Sequence, residues 1–216
     1  MSLGKTRRTA GQWRPARMVR WARVPAFEHT LLDLLPKQGT WSAEAYLWLT
    51  EHANRLIEFS DGVIEILPMP TDKHQAILRF LFRLFDVLML RTGGTVFFAA
   101  LRLQVAPQKF REPDLLLLLA ADDPRRQNRY WLGADLVVEV VSPDQPERDL
   151  VTKVADYAEA GIAEYWIVNP LDATITVLRL ENGTYREHGV FGRGATATSA
   201  LLPDLAVDVS ATLDAK

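Results

Sequence analysis

The sequence predicts an α/β domain built on a mixed β-sheet flanked by helices. Three observations lead there. Two apolar runs of strand length, "PDLLLLLA" (113–120) and "ADLVVEVVSP" (134–143), are nearly continuous rather than alternating, as in strands covered on both faces. A helical segment over 147–161 separates the second run from a third, "EYWIVNP" (164–170), which is the pattern of a crossover between parallel strands. Turn signals at Ser60-Asp61-Gly62 and Glu181-Asn182-Gly183 lie between apolar stretches and add antiparallel hairpins.

The elements follow in order. "WSAEAYLWLTEH" (41–52) reads as a short helix with Ser42 as N-cap and Glu44 in its first turn. "RLIEFSDGVIEIL" (55–67) is a hairpin with Glu58 and Glu65 among apolar neighbours. Residues 74–94 form a long helix stopped by Gly93 or Gly94. It is apolar on more than one face, so packing on two sides is expected. "TVFFAALRLQVAP" (95–107) reads as one strand. The helix at 147–161 carries a stripe of Leu150, Val154, Tyr157 and Ala158 and ends at Gly161. A second hairpin spans 174–191, and Leu201, Leu202, Pro203 and Leu205 form a packed tail. The middle of the chain thus runs helix, strand, strand, strand, helix, strand.

Composition narrows the class. The 216 residues fit a single domain, and 48% are hydrophobic, enough for a core without staples. The absence of cysteine excludes disulfides and cysteine-based zinc sites. No apolar run approaches the roughly 20 residues of a membrane helix, and no secretory signal is visible, so a cytoplasmic protein is expected. The net charge is −2, but it is unevenly spread. Residues 1–27 hold seven cations and no acid, leaving 18 cations against 27 acids for the rest. A basic arm over 1–40, partly disordered, is expected beside a domain over 41–210. Such an arm could grip phosphates, although a solvated tail is the plainer reading.

Three residues carry the chemistry. Glu139 lies between two valines on each side, in "LVVEVV". A buried, unpaired carboxylate costs several kcal/mol. Glu139 is therefore protonated, faces a cation, or points into a cleft, unless its strand has one wet face. Asp114 opens the Leu115–Leu119 run after Pro113, which by itself is ordinary turn chemistry. Paired with Glu139 on the next strand, it can present a second carboxylate to one point. Hard divalent ions such as Mg2+ take such pairs, with water and substrate phosphate filling the other positions. Lys153 follows on the next helix, about 60° from Leu150 at a period of 3.6. Its stem could cover the core edge, with Asp149 as a surface partner, or its ammonium could reach the two acids. His29, His52 and His188 show no metal-binding spacing, and no glycine-rich phosphate loop or nucleophile elbow is present.

Four blocks occur in order: Arg-x-Pro-Asp (111–114), Glu-Val-x-Ser-Pro (139–143), Asp-x-x-x-Lys-x-x-x-Tyr (149–157) and Gly-Ile-x-Glu-Tyr-Trp (161–166). With "LIEFSDGVIEILPMPTDKH" (56–74), they resemble the restriction-endonuclease family of the Uma-two type, within the PD-(D/E)XK nuclease superfamily, from about residue 40 to 205. The resemblance implies a restriction-endonuclease-like core of α-β-β-β-α-β order, preceded by an N-terminal helix and hairpin. It makes Asp114 the acid of the Pro-Asp pair and Glu139 the acid of the E-X-K element. That element would place lysine at position 141, where this chain has Val141, so Lys153 is the implied replacement. Arg111, Tyr157, Trp166, Glu58 and His74 also fall on family-like positions. Glu58 is a candidate helper acid, His74 equally well a helix-start residue, and Tyr157 and Trp166 packing residues.

The expected function is metal-dependent endonucleolytic hydrolysis of DNA phosphodiester bonds. Asp114 and Glu139 would bind Mg2+ or Mn2+, Lys153 would stabilise developing charge, and Glu58 would assist. A homodimer would suit cleavage of both strands, but no interface is readable. An inactive nucleic-acid-binding or interaction module on the same fold is the alternative, motivated by Val141 and the acidic body. A metal hydrolase acting on another phosphoester is the third reading.

Overall fold

The computed structural model describes residues 35–216; the basic arm expected over 1–40 lies outside the described residues as far as residue 34. Helix α1 spans Ala43–His52, and the Ser42 hydroxyl accepts from the Ala45 amide at 3.1 Å, as its sequence position predicts. A hairpin follows, β1 (Ile57–Ser60) and β2 (Val63–Ile66), with Asp61 and Gly62 both left-handed at φ 46° and 89°. Gly62 is required for space as well. A Cβ there would meet the Gly39 carbonyl oxygen at 2.6 Å, because the Gly39 and Trp41 amides both donate to the Gly62 carbonyl.

Helix α2 spans Asp72–Thr92, capped by Thr71 and closed by left-handed Gly93. Ile77, Leu81, Phe85 and Leu88 lie on its buried face. Val87 is 59% exposed and Leu90 76%, so the two-sided packing expected from the sequence is not found among the described residues. The extra apolar positions widen the stripe without meeting a second layer among the described residues. The run 95–107 also differs from the single strand expected. It divides into β3 (Thr95–Phe98) and β4 (Leu103–Ala106), which belong to different sheets. Uninterrupted apolar character hides the corner at 99–102, where the chain leaves one sheet for the other.

Strand β5 (Lys109–Arg111) pairs with β4 and β1, giving a small sheet of order β2-β1-β5-β4. Its core is Tyr46, Leu47, Ile57, Phe59 and Phe110, with the Tyr46 and Phe59 rings stacked at 5.2 Å. The chain then enters β6 (Leu115–Leu118), β7 (Leu136–Val140), a π-helical turn (Arg148–Thr152), α3 (Lys153–Glu159) and β8 (Glu164–Asn169). The hairpin β9 (Thr174–Glu181) and β10 (Thr184–Gly192) completes the large sheet, of order β10-β9-β8-β7-β6-β3. Strands β7 and β8 run parallel and the other neighbours antiparallel, so the sheet is mixed. The order α-β-β-β-α-β is therefore present as α2-β3-β6-β7-α3-β8, with the β4–β5 hairpin inserted after its first strand. A short pair, β11 (Thr196–Thr198) and β12 (Ala206–Asp208), and helix α4 (Val209–Leu213) end the chain.

The large sheet is covered on both faces. Val138, Val140 and Trp166 point to the α2 side, where Phe85 meets Trp166 edge-on at 5.9 Å. Val137, Val141, Tyr165 and Ile167 point to the other side, against Tyr157 of α3 and Leu103 of β4. Period-two alternation puts Glu139 on the second face, with Val137 and Val141. This is why the strand reads as continuously apolar and yet can hold one carboxylate beneath a helix.

Candidate active site

The site lies where β6 and β7 meet α2 and α3. Leu115 pairs with Val138 in antiparallel register, so Asp114, just before β6, stands opposite Glu139. The Asp114 carboxylate is fixed by the Val140 amide, which donates to Oδ2 at 2.7 Å. Nε2 of His74, in the first turn of α2, lies 3.1 Å from the same oxygen. Burial works against the imidazolium, yet the hydrogen bond and charge of Asp114 outweigh it and raise the His74 pKa.

Glu139 is 3% exposed. The Lys153 ammonium donates to its Oε1 at 2.8 Å, and the Tyr157 hydroxyl donates to the same oxygen at 2.6 Å. Burial pushes the Glu139 carboxyl above its ordinary range, against the pull of Lys153. Lys153 itself is held protonated. Burial disfavours its charge, but Glu139, Glu58 and Asp149 together raise its pKa above the ordinary lysine value. The ammonium comes from α3 to the face that Glu139 shares with Val141, whose own side chain is buried in the apolar layer. A lysine reaching across from the helix thus meets the carboxylate that a strand lysine at position 141 would flank.

Glu58 sits behind this pair. It is 1% exposed, 3.4 Å from Lys153 and 3.6 Å from Arg111, and it accepts from the Glu112 amide at 3.2 Å. Arg111 also forms a buried pair with Asp156 at 2.6 Å, which ties α3 to β5. Trp166 is a core residue whose ring nitrogen donates to Glu164 at 2.6 Å. Tyr157, expected as packing alone, is packed and also bonded to Glu139.

Of two further buried acids in this region, the sequence assigns Glu112 no role and places Asp149 on the surface. Glu112 is 4% exposed, accepts from the Ile57 amide, and is pushed up to about 8 by burial and by Glu58. Its signal was weak, a glutamate beside proline at the end of an edge-like segment. Asp149 is 2% exposed and lies 3.1 Å from Lys153. The i, i+4 spacing revealed that pair, but placed it on the surface. The buried side of the 148–159 segment carries Asp149, Lys153, Asp156 and Tyr157, whereas Leu150, expected in the apolar stripe, is 40% exposed. The π-helical turn rotates the first residues away from a straight 3.6-residue register, which accounts for the difference.

A cleft of about 450 Å³ opens over the site; Asp114, Glu139, Lys153, Asp149, His74 and Glu112 line it, with Arg55, Arg102 and Arg148 among its other walls. Glu58 supports Lys153 from beneath without lining it. Among the described residues, Asp114 Oδ1 and Glu139 Oε2 take no hydrogen bond from the protein, so each carboxylate keeps one oxygen free. No group of three histidine, aspartate or glutamate side chains among those residues is gathered to hold an ion alone. Two free carboxylate oxygens fit a hard divalent ion that takes its remaining ligands from water and phosphate.

A crystal structure described as that of "a putative nuclease belonging to DUF820", from Anabaena variabilis, superimposes with a TM-score of 0.66. It is 22% identical, and the match covers 80% of this chain and 99% of that one, so the two share a fold. No curated protein matches the sequence. The family model described as "Putative restriction endonuclease", Uma2, matches residues 43–210, which span the small sheet, the large sheet and every residue of the cleft, and the chain belongs to that family.

Proposed function

We propose that the protein is a divalent-metal-dependent endonuclease acting on DNA. The observation that carries this reading is the convergence of Asp114, Glu139 and Lys153 on one cleft, with two carboxylate oxygens left free. Asp114 and Glu139 would hold Mg2+ or Mn2+, which would supply positive charge for the phosphate and a deprotonated water near neutral pH. The chain's own residues do the rest. The Val140 amide and the Tyr157 hydroxyl each engage one oxygen of a carboxylate and so direct the other toward the cleft. The Lys153 ammonium, kept charged by its acids, lies where negative charge would develop on a phosphoryl group. Being protonated, it is a stabiliser rather than a proton acceptor. Arg55, Arg102 and Arg148 offer positive charge to neighbouring phosphates along the walls.

Family membership supports a nuclease; DNA as substrate, the metal, a cytoplasmic setting and a homodimer are parts of the proposal. Among the described residues no helix is long and apolar enough to cross a membrane. Purified protein with Mg2+ is expected to cut plasmid or branched DNA, and excess EDTA to stop it. Asp114→Asn and Glu139→Gln are each expected to lower cutting by at least about 100-fold while far-UV circular dichroism stays unchanged. Cutting that survives both substitutions would refute the assignment. DNA binding without metal-dependent cutting would favour the non-catalytic module instead.

A further inference from the structure

The Lys153 ammonium is enclosed by three carboxylates: Glu139 at 2.8 Å, Asp149 at 3.1 Å and Glu58 at 3.4 Å. One positive charge cannot answer three acids. Glu58 has Arg111 as a second partner at 3.6 Å. Asp149 likewise has a second cation nearby, Arg148. Its Oδ1 faces both the Lys153 ammonium at 3.1 Å and Arg148 Nε at 3.7 Å, and among the described residues neither contact has the alignment of a hydrogen bond. A buried carboxylate whose ion pairs lack hydrogen-bond alignment is a poor stabiliser of a fold. Asp149 also lines the cleft and stands on the π-helical turn, a local distortion that aims it inward beside Lys153.

We propose that Asp149 is a positioning residue that takes over the Lys153 ammonium when Glu139 turns its charge to a metal ion. The inference rests on the metal reading of Glu139. Without metal, Lys153 is the resident counter-ion of Glu139 and competes with any incoming cation for that carboxylate. Expelling a lysine from a buried place into open space would be costly, and leaving it on Glu139 would weaken the metal site. Asp149 and Glu58 remove the conflict. They give the ammonium a second seat within the same cradle, a small displacement away, from which it still faces the cleft. Lys153 thereby remains charged and close to the reacting phosphate while Glu139 is released.

The test is a double-mutant cycle read by isothermal titration with MnCl2, without DNA. Lys153→Met is expected to bind Mn2+ about 10-fold more tightly than the unaltered protein, and Asp149→Asn about 10-fold more weakly. The decisive measurement is the double variant. If Asp149 acts through Lys153, adding Asp149→Asn to Lys153→Met changes the affinity by less than about 2-fold. A loss of equal size in both backgrounds would show that Asp149 contributes only general negative charge, and would overturn the inference while leaving the metal reading intact. Absence of Mn2+ binding in both the unaltered protein and Lys153→Met would instead overturn the metal reading and the inference with it. Lys153→Gln, which keeps a polar group in the cradle, carries the same expectations if the methionine variant does not fold. Thermal melting of each variant verifies that the titrated protein is folded.

Discussion

At the scale of single residues, Glu139 sets burial against the pull of the Lys153 ammonium. A carboxylate amid valines was legible in the sequence as an anomaly, because no apolar strand tolerates one without a partner. Which partner it has was not legible. Lys153 and Tyr157 come from a helix whose phase depends on a π-helical turn that no periodicity reveals. The burial of Glu139 and Glu112 has a consequence for pH. Burial raises both carboxyls above the ordinary value of 4.5 in the folded protein, Glu112 to about 8. Folding therefore favours their protonated forms. Their contribution to stability is complete below about pH 4.5 and is lost as pH rises through their raised values, about 8 for Glu112. In EDTA, the melting temperature is expected to fall between about pH 6 and pH 9. Added Mg2+ is expected to raise it more at pH 8.5 than at pH 6, since the ion binds ionised Glu139 and the proton opposes it. Differential scanning calorimetry across that range checks both signs. A Mg2+ effect that shrinks as pH rises would contradict the description of Glu139. Tyr157→Phe removes one hydrogen bond to a buried carboxylate and is expected to cost about 1–2 kcal/mol in urea denaturation.

At the scale of elements, the sequence exposed what periodicity and turn chemistry encode. Ser42, Thr71 and Gly93 mark helix ends, and Asp61-Gly62 and Asn182-Gly183 mark tight turns with positive φ. The continuous run at Leu115–Leu118 marks a strand buried on both faces. Where two signals conflict, the reading failed. The apolar run at 95–107 masks a change of sheet, and the apolar excess of α2 includes Val87 and Leu90, which are exposed among the described residues. The segment 148–159 buries charge where apolar residues were expected, because the opposing surface already holds Glu58, Glu139 and Arg111. The Arg111–Asp156 pair is the clasp that presses α3 onto β5 and so places Lys153 over Glu139. Asp156→Ala leaves Arg111 with one partner fewer in a buried place and is expected to cost about 3–5 kcal/mol. Urea unfolding measures it, and a loss below about 1 kcal/mol would show that α3 is held by apolar contacts alone. By contrast, Phe85→Ala removes the edge-on contact with Trp166 on the opposite face and is expected to cost about 3–5 kcal/mol without altering the metal affinity of the folded variant.

At the scale of the whole molecule, the two sheets have different tasks. The large sheet places Asp114, just before β6, beside Glu139 of β7, and the small one supplies Glu58 and Arg111, with Glu112 just after β5, beneath and beside them. The cleft forms where the chain passes from one to the other. This explains why the carboxylates are separated in sequence and adjacent in space, and why chain order alone revealed the architecture but not the full set of buried charges. A net charge of −2 gives the molecule no general attraction for DNA, so attraction must be local. Binding to duplex DNA is expected to weaken steeply with salt, and substituting Arg55 or Arg102 by alanine is expected to reduce the slope of log affinity against log salt by about 1 each. Fluorescence anisotropy at several salt concentrations would show it, and an unchanged slope would place the DNA elsewhere on the surface.

The claim on which the rest depends is that Asp114 and Glu139 hold one metal ion between them. Anomalous X-ray scattering from crystals soaked in Mn2+ tests it most directly. A single strong peak is expected within bonding distance of one oxygen of each carboxylate, lost in Glu139→Gln crystals. A cleft with no peak, or a peak that persists in the variant or sits against other residues, would contradict it.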